Sequence, residues 1–276
     1  MRAGAPVPLT GRYAVQGALV AHGLELWARN TGADLELVDD RSEPARAAAI
    51  HEDLRRRCDV VLGPYGGDST RAVAAGAGGR IVWNHGAAAD DVQRLPGVVS
   101  LPSPASRYLV ALARALPPAT RIAVAAAPGH FARFARDGLA AAGIGVVDAV
   151  SADAILLCGP FEWELERFRR LDRAKVLGGV SPGLAAIADH LDPDGLLAPV
   201  QWHPDLGGPS GLDDYVAAQA YAAVQLAAER ADLDAAQARA LRTSTFFGAF
   251  ELDETGLQVG HELRVVRWSQ GRRVLL

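Results

Sequence analysis

Short apolar runs alternate with longer segments whose apolar residues recur at helical spacing along nearly the whole chain. A short run that is apolar on both faces is typical of a parallel β-strand, because helices cover both faces of a parallel sheet. The amphipathic segments between the runs supply those helices, so each pair forms a βαβ unit. The pattern therefore predicts an α/β fold of doubly wound parallel sheets.

The alternation stops and restarts once, which predicts two lobes. Proline and glycine cluster at residues 102–104 and 204–211, so we expect the chain to cross between the lobes there, with a third crossing near 243–248. The first lobe is predicted to contain residues 1–105 and 203–247, and the second to contain 106–202 and 248–276. Only a few residues separate two predicted strands between Val147 and Ala154, so the second lobe is reduced.

Composition narrows the functional classes. The 276 residues are half hydrophobic, which is enough for a large core, and the net charge of −4 includes no long run of one sign. Nothing in this balance favours nucleic acid or membrane insertion. Cys58 and Cys158 each adjoin an apolar run, so we interpret both as unpaired apolar residues. No Cys/His spacing predicts a metal site, and no cofactor is expected.

The first residues bear on localisation. Residues 1–7 run directly into Pro8-Leu9-Thr10-Gly11, which leaves no room for a charged segment, an apolar segment and a cleavage site. We therefore expect no export signal within the chain as given. We expect an extracytoplasmic protein if a signal was removed, and a cytoplasmic one otherwise.

Two strand-to-helix junctions carry most of the functional information. Leu62-Gly63-Pro64-Tyr65-Gly66-Gly67-Asp68-Ser69-Thr70 follows one apolar run, and His85-Gly86-Ala87-Ala88-Ala89-Asp90 follows the next. Small residues at the start of a helix leave backbone N–H groups unpaired and accessible, so such a junction can hold a carboxylate. Two in succession predict a cradle for a small anion.

Four further segments belong with these junctions: Pro8-Leu9-Thr10-Gly11, Gln16-Gly17, the segment at 39–44 and Tyr221-Ala222-Ala223-Val224-Gln225. Together they resemble the solute-binding proteins of branched-chain amino acid (Leu/Ile/Val) ABC transporters. The resemblance runs from about residue 3 to the C-terminus and rests on the order and spacing of the motifs. It implies the type I periplasmic-binding-protein fold, in which a ligand is enclosed between two lobes.

Open parallel sheets bind ligands beyond the carboxyl ends of their strands. The residues that follow predicted strands are therefore the candidate ligand contacts. Asp68 is either a helix N-cap or a ligand contact, and the four aromatic candidates belong either to the cleft or to the core. The candidates are Gln16, Tyr65, Gly66, Gly67, Asp68, Ser69, His85, Gly86, Ala87, Ala88, His130, Phe131, Pro160, Phe161, Val180, Ser181 and Trp202, with His203 beside the last.

The resemblance also indicates which polar groups are missing. Amino-acid-binding members of the family hold the ligand's carboxylate with hydroxyl side chains and its ammonium with a second-lobe acid. Gly67, Ala88 and Val180 stand at the matching positions. An ammonium removed from water without a partner costs several kcal/mol. We therefore expect a small carboxylate, an amide or a largely apolar ligand rather than a standard amino acid, unless Asp68, Asp90 or Glu162 supplies the charge.

These observations predict a solute-binding protein without enzymatic activity, which works with an ABC permease. The alternative is a cytoplasmic ligand sensor of the same fold that acts on a regulatory protein. A third interpretation is a hydrolase or metal enzyme that uses His85, His130 and His203 with Asp68. No HExxH, GxSxG or GxxxxGK[ST] motif supports that third interpretation.

Overall fold

The computed structural model describes residues 1–276 and divides them into two compact units. The first unit contains residues 1–103 and 204–262, and the second contains 104–203 and 263–276. Strands and helices alternate strictly over residues 1–103. These elements are β1 (Arg2–Val7), α1 (Ala14–Thr31), β2 (Asp34–Asp39), α2 (Pro44–Leu54), β3 (Val60–Val61), α3 (Gly67–Gly76), β4 (Val82–Asn84), α4 (Asp90–Gln93) and β5 (Val98–Ser100).

The alternation resumes after residue 104 and ends in two antiparallel hairpins. None of the helices combines the length and the hydropathy that crossing a membrane requires. The remaining elements are α5 (Tyr108–Arg114), β6 (Ile122–Ala126), α6 (His130–Ala141), β7 (Ala154–Cys158), α7 (Phe161–Phe168), β8 (Val176–Gly178), β9 (Leu197–Val200), α8 (Tyr215–Glu229), α9 (Ala235–Ala240), β10 (Arg242–Thr245), β11 (Gly248–Glu251), β12 (Arg264–Ser269) and β13 (Arg272–Leu275).

The sheet of the first unit is parallel. Its strands lie in the order β2-β1-β3, and a parallel bridge between Leu62 and Trp83 continues the order to β4 and β5. Parallel strands all end at the same edge of a sheet, so the two junctions that follow β3 and β4 must be neighbours. The antiparallel pair β10-β11 belongs to the same unit.

The sheet of the second unit has six strands in the order β13-β12-β9-β8-β7-β6. Strands β6 to β9 are parallel, whereas β12 and β13 are antiparallel additions at one side. Leu109, Leu112 and Leu156 form a buried cluster with Cys158. Neither cysteine is paired, as predicted. Together the two sheets confirm the predicted α/β class of doubly wound parallel sheets.

The third crossing lies later than the predicted 243–248, because the division between the units falls after Glu262. Two hydrogen bonds of Gln258 explain the difference. Its backbone N–H donates to Gln93 Oε1 at 3.1 Å and its Nε2 donates to Leu101 O at 3.3 Å, which ties this segment to the first unit. The strands on either side of this segment lie in different sheets: β11 pairs with β10, and β12 pairs with β9.

The reduction of the second unit is visible beside β6. No strand forms over residues 144–153, where Val147 N donates a single hydrogen bond to Ile122 O at 2.9 Å. The neighbouring Val150 is 90% exposed. The short connection therefore holds the chain along the outer edge of the sheet without completing another strand.

Candidate functional site

The two predicted junctions lie side by side in the first unit. A parallel bridge joins Tyr65 to Gly86, and Gly66 N donates to Gly86 O at 3.2 Å. The structure thus brings together the segments after β3 and β4 at the carboxyl edge of the sheet. This edge of the first unit, formed by residues 65–69 and 84–88, is called the strand-end site below.

Glycine is required at two of these positions. Gly66 has a φ of 97°, and a Cβ atom there would lie 2.9 Å from Tyr13 Cε2. A Cβ on Gly86 would lie 2.4 Å from Tyr65 Cδ2 and 2.8 Å from its Cα. The rings of Tyr13 and Tyr65 meet edge to face with centroids 5.6 Å apart. Sequence reasoning missed Tyr13, whose position directly before α1 was the available signal.

The first turn of α3 presents unpaired donors. The first hydrogen bond of this helix runs from Thr70 N to Gly66 O at 3.0 Å, so the N–H groups of Gly67, Asp68 and Ser69 precede any intrahelical partner. No side chain caps the helix, which is ten residues long. A Cβ on Gly67 would meet only Val92 Cγ2, at 3.6 Å. These donors lie at the positive end of the helix dipole, where an anion is stabilised.

Asp68 does not cap the helix, so the capping interpretation is wrong. The N-cap residue is Gly66, and Asp68 already lies inside the first turn. Its side chain is 65% exposed and lies 3.9 Å from Arg12 Nη2. Ser69 is buried, and the Thr70 hydroxyl donates to backbone oxygens of the same junction, which stabilises the turn.

The second junction differs from the prediction because Asn84 occupies two of its donors. Asn84 Oδ1 accepts from Gly86 N at 3.1 Å and from Ala87 N at 2.8 Å. Its Nδ2 donates to Ala87 O and to Ser100 Oγ, both at 2.8 Å. The expectation that both junctions offer free N–H groups is therefore wrong for Gly86 and Ala87. Ala87 is buried and Ala88 is half-buried.

His85 is buried beneath these turns. Its Nε2 donates to Gly63 O at 3.0 Å, and its Nδ1 is buried without a partner. Burial lowers the pKa of His85 to about 4, so the imidazole is neutral near pH 7. Gln16, in the first turn of α1, also has a buried oxygen, Oε1, without a partner. His85 Nδ1 and Gln16 Oε1 are thus two buried acceptors without partners.

The burial of His85 predicts a pH dependence of stability. Between pH 6.5 and about 4 the unfolded chain binds a proton that folded His85 does not, so the free energy of unfolding falls as pH falls through this window. The contribution is up to about 3 kcal/mol. Urea unfolding from pH 7 to 4.5 should give a shallower decrease for His85→Gln than for the wild type. His190→Gln, at an exposed position, is the control. An equal decrease in the wild type and in His85→Gln would contradict this expectation.

The aromatic candidates of the second unit belong to its core. The ring of Phe131 meets that of Tyr108 with centroids 5.0 Å apart and packs on the buried cluster. Phe161 is buried against His190, with centroids 5.5 Å apart. Trp202 is only 2% exposed. For Phe131 and Phe161 the structure therefore supports the core interpretation over the cleft.

The remaining candidates of the second unit are dispersed. His130 and Pro160 are exposed at the starts of α6 and α7, whereas Val180 packs on the buried cluster. The ring of His203 lies 3.1 Å, through Nε2, from Arg273 O. No group of three His, Cys, Asp or Glu side chains forms a metal site.

Sequence reasoning missed Glu164, which joins the turns after β7 and β8. Its Oε1 accepts from Gly159 N at 2.8 Å and from Val180 N at 3.3 Å, and its Oε2 accepts from Ser181 N at 2.8 Å. Burial raises the pKa of Glu164 to about 7, although the hydrogen bonds from these donors act to lower it. The carboxylate is fully buried, so it holds the turns in place and is closed to solvent. In the sequence, only the position of Glu164 on the inner face of the short helix α7 indicated such a role.

No family model matches the chain, and no curated protein matches it. Solved structures do. The branched-chain amino acid transporter substrate-binding protein LivJ from Streptococcus pneumoniae, in complex with isoleucine, is 15% identical, with a TM-score of 0.81 over 99% of this chain and 97% of that one. This chain has the type I periplasmic-binding-protein fold. The fold prediction is confirmed over its full length.

Two other structures of this fold extend the comparison. The leucine-binding protein LivK from Thermotoga maritima is 16% identical, with a TM-score of 0.79 over 100% of this chain and 97% of that one. A solute-binding protein of an ABC transporter from R. palustris, in complex with benzoate, is 20% identical, with a TM-score of 0.78 over 100% of this chain and 95% of that one. Structures of this fold thus carry both amino acids and aromatic acids.

Proposed function

We propose that this protein is the solute-binding component of an ABC-type uptake system and belongs to the branched-chain amino acid-type group of such proteins. It binds a small carboxylate and leaves it chemically unchanged. The observation that carries the proposal is the first turn of α3, where three N–H groups without intrahelical partners adjoin the open space above Gly67. The partner of the loaded protein is an ABC permease.

The ligand is a carboxylate without an α-ammonium group, and an aromatic acid such as benzoate is its representative. The donors of α3 suit a carboxylate. An ammonium group would need an accessible acid, and Glu164 is fully buried with both oxygens occupied by backbone donors. Asp68 points to solvent near Arg12. Benzoate and 4-hydroxybenzoate are bound by other proteins of this fold, which supports the choice.

Calorimetric titration with benzoate, 4-hydroxybenzoate, benzamide, L-leucine and L-isoleucine tests this proposal. We expect at least one of the two aromatic acids to bind at least about tenfold more tightly than either amino acid, a difference of about 1.4 kcal/mol. Micromolar binding of leucine without binding of either acid would overturn the assignment of the head group. Mass spectrometry should recover the bound acid unaltered, and its conversion to a product would overturn the non-enzymatic function.

A further inference from the structure

A cavity lies in the first unit, at the opposite edge of the sheet from the strand-end site. Its volume is about 390 Å³, within the range of about 300 to 1,000 Å³ that is usual for small-molecule sites. Its walls come from the end of α2, the segments that lead into β3 and β4, and the connection between α8 and α9. They include His51, Arg55, Arg80, Trp83 and Arg230.

Three arginines line this cavity, and of the three only Arg80 forms an ion pair. Arg80 forms an ion pair with Glu52, with Nη2 and Oε2 3.0 Å apart. Arg55 lies near enough to Arg80 that this like charge, after burial, lowers the pKa of its guanidinium. Arg230 Nε is buried without any partner. A buried donor without a partner costs free energy, so this guanidinium favours an added acceptor.

His51 supplies a second unpartnered group. It is only 3% exposed, and its Nε2 is buried without a hydrogen bond. Burial, followed by the charge of Arg55, lowers the pKa of His51 to about 4, so the ring is neutral near pH 7 and can donate one N–H. Because His51 Nε2 and Arg230 Nε are enclosed, an oxyanion in the cavity would reach the ring at Nδ1 and the guanidinium at its terminal nitrogens.

The acids of the cavity wall are engaged elsewhere. Asp59 Oδ2 accepts from Arg2 N at 2.7 Å. Asp234 caps α9, where its Oδ1 accepts from Gln237 N at 2.8 Å. Arginines at the ends of α2 and α8 also suit the negative ends of those helix dipoles. That preference explains why arginine is present, but it leaves Arg230 Nε and His51 Nε2 without partners.

The rest of the wall is apolar. Val60, Ile81, Trp83, Ala227 and Leu233 line the cavity beside the cationic groups. We infer that this cavity is a second binding site, separate from the strand-end site, for a small organic oxyanion: a carboxylate or phosphate carried on an apolar body. The guanidinium groups and His51 bind the oxyanion, and the apolar wall contacts the body.

Calorimetric titration of the full chain with phenyl phosphate and inorganic phosphate tests this inference. We expect phenyl phosphate to bind more tightly than inorganic phosphate, because only the former fills the apolar part. Arg230→Gln and Arg55→Gln should each weaken binding of phenyl phosphate about tenfold, since each removes a charged donor. Arg56→Gln is the matched control, because Arg56 is exposed, follows the same helix and is absent from the wall.

Two further readouts separate this site from the strand-end site and from a folding defect. The histidine ring signals of His51 should shift on addition of phenyl phosphate, and Gly67→Leu should leave that shift unchanged. Circular dichroism and thermal unfolding report whether each variant is folded. If Arg230→Gln does not fold, Arg55→Gln, at a partly exposed position, provides the test of binding. Absence of binding at millimolar phenyl phosphate, or equal binding by the wild type and both cavity variants, would overturn the inference.

Discussion

Leucine in place of Gly67 should weaken benzoate binding about 100-fold or more, because loss of two charge-assisted hydrogen bonds costs about 3 kcal/mol. The fold should persist. A Cβ at this position meets only Val92 Cγ2, at 3.6 Å, so the larger side chain projects into the open space above the first turn of α3. There it covers the free N–H groups of Gly67, Asp68 and Ser69.

Gly76→Leu is the matched control for this experiment. Gly76 ends the same helix, and a Cβ there has no neighbour within 4 Å. Both substitutions replace a helical glycine by a better helix former, so neither should lower the thermal unfolding temperature. Calorimetry should give wild-type affinity for Gly76→Leu only. Wild-type affinity in Gly67→Leu as well would place the ligand elsewhere.

Alanine in place of Glu164 should lower the free energy of unfolding by about 3 kcal/mol or more, because three backbone donors lose their acceptor and each costs about 1 kcal/mol or more. The donors are the N–H groups of Gly159, Val180 and Ser181. Glu166→Ala is the control on the same helix. Glu166 is exposed and pairs only with Arg170, so its loss should cost about 0.5 kcal/mol or less. Urea unfolding of the three proteins measures both values.

The pH dependence of Glu164→Gln separates the charge from the shape of the side chain. Folded Glu164 holds its proton up to about pH 7, whereas the unfolded chain releases it near 4.5. The free energy of unfolding of the wild type therefore falls as pH rises through this window, by up to about 3 kcal/mol relative to Glu164→Gln. Equal pH slopes in the two proteins would contradict the burial of an ionisable carboxyl group.

The sequence was sufficient to predict the fold class and the position of the first junction. Both follow from local patterns: apolar runs that are typical of parallel strands, and small residues that leave helix donors open. The adjacency of Tyr65 and Gly86 also follows, because neighbouring parallel strands end at one edge. Although β3 is only two residues long, the small residues of the junction after it were sufficient to predict where the junction lies.

The errors arose where a side chain forms hydrogen bonds that the spacing of small and apolar residues does not show. Asn84 takes two donors of its own turn, the N–H groups of Gly86 and Ala87. Gln258 ties its segment to Gln93 and Leu101, more than 150 residues away, and so shifts the third crossing. Glu164 looks like one of several acids on a short helix until the turns after β7 and β8 are seen around it. The partners of Gln258 and Glu164 depend on tertiary structure rather than local sequence.

Backbone amide spectra of isotope-labelled protein, recorded during titration with benzoate, test most directly where the ligand binds. If its carboxylate binds the first turn of α3, the amide signals of Gly67, Asp68 and Ser69 shift together with saturation. The amides of Gly86 and Ala87, which already donate to Asn84 Oδ1, shift less. Saturable binding of benzoate that leaves the signals of residues 67–69 unmoved would contradict the proposed site.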